Sequence, residues 1–301
     1  MTEEGHPALP SAKRMKVSSD GIYETVNLNQ WLHSSHVHGT SSRESRLPLV
    51  DLRPKEDFDR RHLQTDVSTI VNLPFNDLMS GERSCELPPR HVEFAILVPS
   101  QIDDKEIEDF FFATVSKATS QSRKPWLVRQ IMQDTTEFWK EAERLEIMSD
   151  SSAGIQSLPM PRLWKPDQMV EHKLSPMLKN RLSKSHKSQD MVVWDLGSGA
   201  GRDVCFLAEE LMGITINNAQ DGEEKISSTI KVVGFDNHKG SARRSAPLWK
   251  NRMVDAYTES RLVNLKNLDL LEEHITNESN LVCMYAIRFL NRRLVVRTLS
   301  K

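Results

Sequence analysis

Val192-Val193-Trp194-Asp195-Leu196-Gly197-Ser198-Gly199-Ala200-Gly201-Arg202-Asp203 is the stretch on which the fold turns. The run Met191-Val192-Val193-Trp194-Asp195 reads as a buried strand, and Val204-Cys205-Phe206-Leu207-Ala208 has the apolar spacing of a helix. Between them, Gly197, Gly199 and Gly201 permit a tight bend and let a ligand approach the backbone without meeting a Cβ. In an open parallel sheet, such a bend at the carboxyl end of a central strand is where ligands bind. Two ligand classes lose their usual cradle. The dinucleotide fingerprint GxGxxG needs its third glycine where Arg202 stands, and the GxxxxGK[ST] run of nucleoside triphosphate sites does not occur.

Outward from the bend, further strands are expected at 231–235, 261–265 and 281–286, with a helix over 166–182 ahead of them. Strands alternating with helices predict a parallel sheet. The polar stretch 213–228 reads as a surface insertion. Upstream, strands at 49–52 and 94–98 and helices at 28–33, 107–118 and 135–148 predict a second small α/β unit. Ser149, Ser151, Ser152, Gly154, Pro159, Pro161 and Pro166 give linker chemistry. The expected organisation is a disordered tail over 1–20, an α/β domain over 21–148, a linker over 149–166 and a second domain over 167–301.

The 301 residues are 38% hydrophobic and 27% charged, ordinary values for a globular chain. A formal charge of -2 supplies no general attraction to phosphate polymers or acidic lipid, so nucleic acid is not indicated as a partner. Arg288, Arg292, Arg293, Arg297 and Lys301 read as a solvent-facing helix side. Cys85, Cys205 and Cys283 lie far apart, in no disulfide or metal-ligand spacing. His33, His36 and His38 have no carboxylate or thiol neighbour and read as a solvated loop, so no metal site is expected. The apolar run 281–287 is too short to cross a bilayer, and Met1-Thr2-Glu3-Glu4 opens no signal peptide. The expected location is cytoplasmic, with no membrane partner. Lys13-Arg14-Met15-Lys16 reads either as a solubilising tail or as a nuclear-import signal, which adds the nucleus.

Residues 192–203 resemble motif I of class I S-adenosylmethionine (SAM)-dependent methyltransferases, in the form xDLGxGxGRD. The Gly-Arg-Asp ending and the following Phe206-Leu207-Ala208 are similar to those of tellurite-resistance-type members. The resemblance implies a Rossmann-like methyltransferase domain with SAM as cofactor, held by Asp195, Gly197, Ser198, Gly199 and Gly201. Val232-Val233-Gly234-Phe235-Asp236 resembles the second motif, whose acid accepts both ribose hydroxyls. Asp236 reads otherwise as the start of a turn before Asn237-His238-Lys239-Gly240. Asp269 stands where members of the family carry an acid or amide near the adenine amino group, or else it caps a helix over 270–274. SAM carries an activated methyl group, so the protein's task is positioning and no catalytic base or nucleophile is identified; the methyl acceptor is unknown. The family's sheet has seven strands ordered 3-2-1-4-5-7-6, of which this sequence supplies four. A C-terminally truncated domain is therefore expected, with strand four an open edge and turnover reduced or absent.

Leu49-Val50-Asp51-Leu52-Arg53-Pro54-Lys55-Glu56-Asp57-Phe58, Arg61-His62-Leu63 and Val71-Asn72-Leu73-Pro74 resemble a rhodanese-like domain. Cys283-Met284-Tyr285-Ala286-Ile287-Arg288-Phe289-Leu290-Asn291-Arg292 resembles a stretch of eukaryotic proteins that join such a domain to a methyltransferase. A rhodanese carries sulfur on a cysteine after its central strand, whereas here the strand ends Pro99-Ser100-Gln101. A serine hydroxyl cannot replace the thiolate, and Cys85 precedes the strand. Sulfurtransferase activity is not expected, and Asp51, Arg53 and His62 read as structural. The implied function is that of a SAM-dependent methyltransferase-like protein with an inactive rhodanese-like domain that engages a protein partner. The alternative is a non-enzymatic scaffold protein using the rhodanese-like domain.

Overall fold

The computed structural model describes residues 23–33, 47–66, 68–113, 124–149, 161–183, 190–212 and 230–287. The fold is α/β with parallel sheets. The chain divides into two compact units: Met1–Met79 with Leu87–Trp164, and Ser80–Glu86 with Lys165–Lys301. The second unit therefore includes a short segment that precedes the second part of the first. The basic tetrad 13–16, His36, His38, the insertion 213–228 and the basic positions from Arg288 onward lie outside the described residues. Among the described residues no helix is long and apolar enough to cross a membrane.

The first unit is built on strands β1 (Glu24–Thr25), β2 (Leu49–Asp51), β4 (Ile70–Asn72), β5 (Glu93–Pro99) and β6 (Leu127–Asp134); β3 (His62–Leu63) and β7 (Met148–Ser149) form a separate pair. Its sheet has the order β1-β6-β5-β2-β4, parallel throughout. The central strand β5 is apolar on both faces, as a strand covered on both sides must be. Phe94, Ile96 and Val98 enter one core with Phe75, Leu78, Ile107 and Phe111. Alternation sends Ala95 and Leu97 to the other, with Leu28, Trp31, Phe138 and Trp139.

The helices of this unit are α1 (Leu28–His33), α2 (Lys55–Arg60), α3 (Phe75–Ser80), α4 (Asp104–Ile107, continued by a wider π-type turn to Phe112) and α5 (Thr136–Arg144). The helix expected over 135–148 is shorter. Thr135 caps its start through a bond from the Phe138 amide, and its end comes where Glu146 takes a left-handed φ of 55°. The chain then turns into β7, which pairs antiparallel with β3. Strand β6 was not anticipated, because the polar residues of Leu127–Asp134 interrupt its apolar run.

In the second unit, β8 (Met191–Leu196), β9 (Ile230–Asp236), β10 (Thr258–Leu262) and β11 (Leu281–Tyr285) form a parallel sheet in the order β10-β9-β8-β11. α6 (Ser175–Ser183) precedes β8, α7 (Arg202–Leu211) and α8 (Lys239–Asn251) follow β8 and β9, and α9 (Leu268–Asn277) leads into β11. The helix expected over 166–182 widens into a π-type turn at Val170–Leu174, just before Pro176, whose ring nitrogen cannot donate to the turn below.

The third strand lies earlier than the expected 261–265. Val263 donates to the Asp236 carbonyl (3.0 Å) as the ladder ends, and Val263 and Leu265 join the core from beyond the strand. Val192, Trp194 and Leu196 face that same core with Leu271 of α9, while alternation turns Val193 and Asp195 to the opposite face. β8 is buried throughout; β11, on the margin of the described sheet, is half-buried until Tyr285. The strand order reverses between β8 and β11, the switch point where open α/β sheets leave a crevice at their carboxyl ends.

Candidate functional site

The bend between β8 and α7 sits at that carboxyl edge. Gly197, Gly199 and Gly201 all have positive φ, at 85°, 56° and 72°, a region that other L-residues enter at a cost. Their roles differ. A Cβ at Gly199 would meet nothing within 4 Å, so the chain is open to an approaching group there. A Cβ on Gly201 would lie 2.8 Å from both the Ser245 Cβ and the Trp249 ring. Gly201 thus serves close packing on α8, and its carbonyl accepts the Trp249 indole N–H at 3.0 Å.

The loop's own amides turn inward. Gly197 and Ser198 both donate to the Phe235 carbonyl, at 2.8 and 3.0 Å, and Gly201 donates to the Ser198 carbonyl at 2.9 Å. Gly199 donates to Asp236 Oδ2 at 2.9 Å. This seating needs Gly234 in β9, because a Cβ there would lie 2.7 Å from Ser198 Oγ. Asp236 Oδ1 accepts from the His238 amide at 2.7 Å, so Asp236 is both a turn former and the clamp of the glycine bend. Each of its oxygens keeps a lone pair for a further donor.

Carboxylates gather around the bend. Asp195 is 3% exposed, and its pKa is pushed up to about 8, first by burial and then by the negative charges of Asp203 and Asp236. Tyr285 pairs with Asp195 in the ladder between β11 and β8. Its hydroxyl lies near enough to Asp195 for each to influence the other, yet the buried Oη makes no bond of hydrogen-bond geometry among the described residues. Burial and then the Asp195 charge drive its pKa well above the usual phenol value. Asp203, in the first turn of α7, accepts from the Asp167 amide at 2.9 Å.

Of the sequence-selected residues, the fold brings Asp195, Gly197, Ser198, Gly199, Gly201 and Asp236 together. Asp269 lies exposed in the first turn of α9, outside the bonds that join the bend to Asp236. The cap of α9 is Asn267, whose Oδ1 accepts from the Asp269 and Leu270 amides, so the reading of Asp269 as the N-cap is corrected by two residues. Tyr285 and Asp203 were not assigned. Tyr285 ends an apolar strand at the sheet's carboxyl edge, the position that marks ligand-facing residues in this architecture.

Arg202 takes another part. Its Nε and Nη2 both donate to the Cys85 carbonyl, at 3.0 and 2.9 Å, and Asn251 reaches Glu86 at 3.2 Å, so Ser80–Glu86 is clipped to the start of α7 and the end of α8. Among the described residues no group of His, Cys, Asp and Glu is arranged to hold a metal ion. In the first unit, Arg53 and Asp51 form a buried pair at 2.7 Å, and Arg53 also donates to the Arg61 carbonyl and lies 4.3 Å over the Trp139 ring. His62 bonds the Phe58 carbonyl and stacks on its ring. Ser100 follows β5 on the surface. Comparison with protein-family models and with curated proteins returned no match.

Proposed function

We propose that the second unit binds SAM at the glycine bend and that the chain is a SAM-dependent methyltransferase-like protein. The observation that carries this reading is the combination of an open Gly199 with amides that are already engaged. The N–H groups of Gly197, Ser198 and Gly199 bond the chain's own β9, and Asp195, Asp203 and Asp236 surround them. A phosphate-bearing ligand needs free amides and tolerates carboxylates poorly. A nucleoside with a sulfonium centre and no phosphate suits both features. The order β10-β9-β8-β11 also matches the first four positions of the methyltransferase sheet, 3-2-1-4.

Asp236 retains a lone pair on each oxygen for the ribose hydroxyls while its backbone-facing bonds hold the bend. SAM supplies the activated methyl group when bound; the chain's residues orient it and exclude water. For the first unit, the Asp51–Arg53 pair is occupied in fixing the turn after β2, and Ser100 offers no thiolate. Partner recognition is the role left to it.

Ultraviolet crosslinking of methyl-labelled SAM to the full chain, followed by peptide mapping, tests the reading. The label is expected between Met191 and Leu211, with unlabelled SAM competing and NAD failing to compete. Labelling elsewhere, or equal competition by NAD, overturns it.

A further inference from the structure

The inference deepens the SAM reading of the same site and rests on it. Asp195 and Tyr285 are ladder partners on adjacent parallel strands, at the carboxyl ends of β8 and β11 where the strand order reverses. Both are buried, at 3% and 7% exposure. The groups that face Asp195 are Asp203 from the first turn of α7, Asp236 from the end of β9 and the Tyr285 phenol from β11. None of these is a cation. A buried carboxylate among like charges holds its proton, and a buried hydroxyl that makes no hydrogen bond among the described residues is poised to donate to a charge that forms beside it.

We propose that Asp195 and Tyr285 form a proton-linked receptor for the positive charge of the ligand. In the free protein Asp195 is a neutral acid. As a cation reaches the carboxyl edge, the Asp195 O–H bond breaks heterolytically, the proton passes to solvent, and the Tyr285 hydroxyl donates to the resulting carboxylate. No electrons change owner. The sulfonium of SAM supplies such a charge. Its demethylated product, S-adenosylhomocysteine, is a neutral thioether at that atom and does not. The pair therefore ties discrimination between cofactor and product to the release of a proton, and the preference for SAM rises with pH until Asp195 is ionised in the free protein. The weakened acidity of Asp195, which burial and the neighbouring carboxylates cause, accords with this arrangement.

Calorimetric titration of the full chain near neutral pH, in two buffers of different ionisation enthalpy, counts the protons. Most of one proton is expected to leave with SAM and distinctly less with S-adenosylhomocysteine. Asp195→Asn is expected to abolish the difference. Tyr285→Phe is expected to weaken SAM about tenfold while leaving the release in place, in line with losing one hydrogen bond to a charge. Equal proton counts for the two nucleosides, or a difference that survives in Asp195→Asn, overturns the proposal while leaving SAM binding intact. Absence of heat with either nucleoside removes the SAM reading and this proposal with it.

Discussion

Asp195→Asn keeps the size and shape of the side chain and removes its titratable proton, which makes it a direct probe of the site. In the wild type, the folded state holds the Asp195 proton up to about pH 8, whereas the unfolded chain releases it near the ordinary carboxyl value of about 3.9. Protons therefore favour the fold. The contribution is fully present below the unfolded value, declines by about 1.4 kcal/mol per pH unit across the window, and is gone above about pH 8. Between about pH 6 and pH 9 the wild type is expected to lose roughly 3 kcal/mol of unfolding free energy in the second unit through this group, while Asp195→Asn loses none of it. Cys205, fully buried on α7 of the same unit, reports its opening. The rate at which a thiol reagent labels Cys205, read by peptide mass and taken as a ratio of wild type to variant at each pH, cancels the thiol's own ionisation. That ratio is expected to rise roughly 100-fold from about pH 6 to about pH 9. A flat ratio refutes the claim that Asp195 is buried as a neutral acid among carboxylates.

The other predictions concern the packing that supports both units. Gly201→Ala brings a Cβ to 2.8 Å from Ser245 and Trp249 at a left-handed φ, so a loss of about 2–5 kcal/mol is expected in denaturant unfolding of the second unit. Gly199→Ala shares the backbone cost without the clash and is expected to lose only about 1–2 kcal/mol. Arg53→Met strands the Asp51 carboxylate in the core and is expected to destabilise the first unit by about 3–5 kcal/mol, seen as earlier exposure of Trp139 in urea. Incubated with thiosulfate and cyanide, the wild-type chain is expected to form no thiocyanate above background, since the residue after β5 is Ser100. Robust turnover there contradicts the reading of the first unit.

The bend was legible because local chemistry over-determines it: an apolar strand, three glycines and an amphipathic helix leave one arrangement. The same holds for β5, whose uninterrupted apolar run marks a central strand covered on both faces. Legibility failed where tertiary partners decide. The sequence shows three equivalent glycines, but only the approach of Trp249 separates Gly201, a packing contact, from Gly199, an open position. Arg202 stands where the dinucleotide fingerprint needs a glycine for close packing, yet the packing occurs one residue earlier and the guanidinium reaches a carbonyl more than a hundred positions away. β6 escaped notice because Arg129 and Gln130 interrupt its apolar pattern, and Tyr285 because its significance depends on pairing with Asp195.

The most direct measurement is the heat of SAM binding to the full wild-type chain and to Gly199→Val, with Cys205 protection confirming that both second units are folded. Saturable binding by the wild type and its loss in the variant are expected, because a branched side chain would occupy the open space beside Gly199 at the bend. No heat at millimolar SAM from folded wild type, or unchanged binding in the variant, contradicts the central claim.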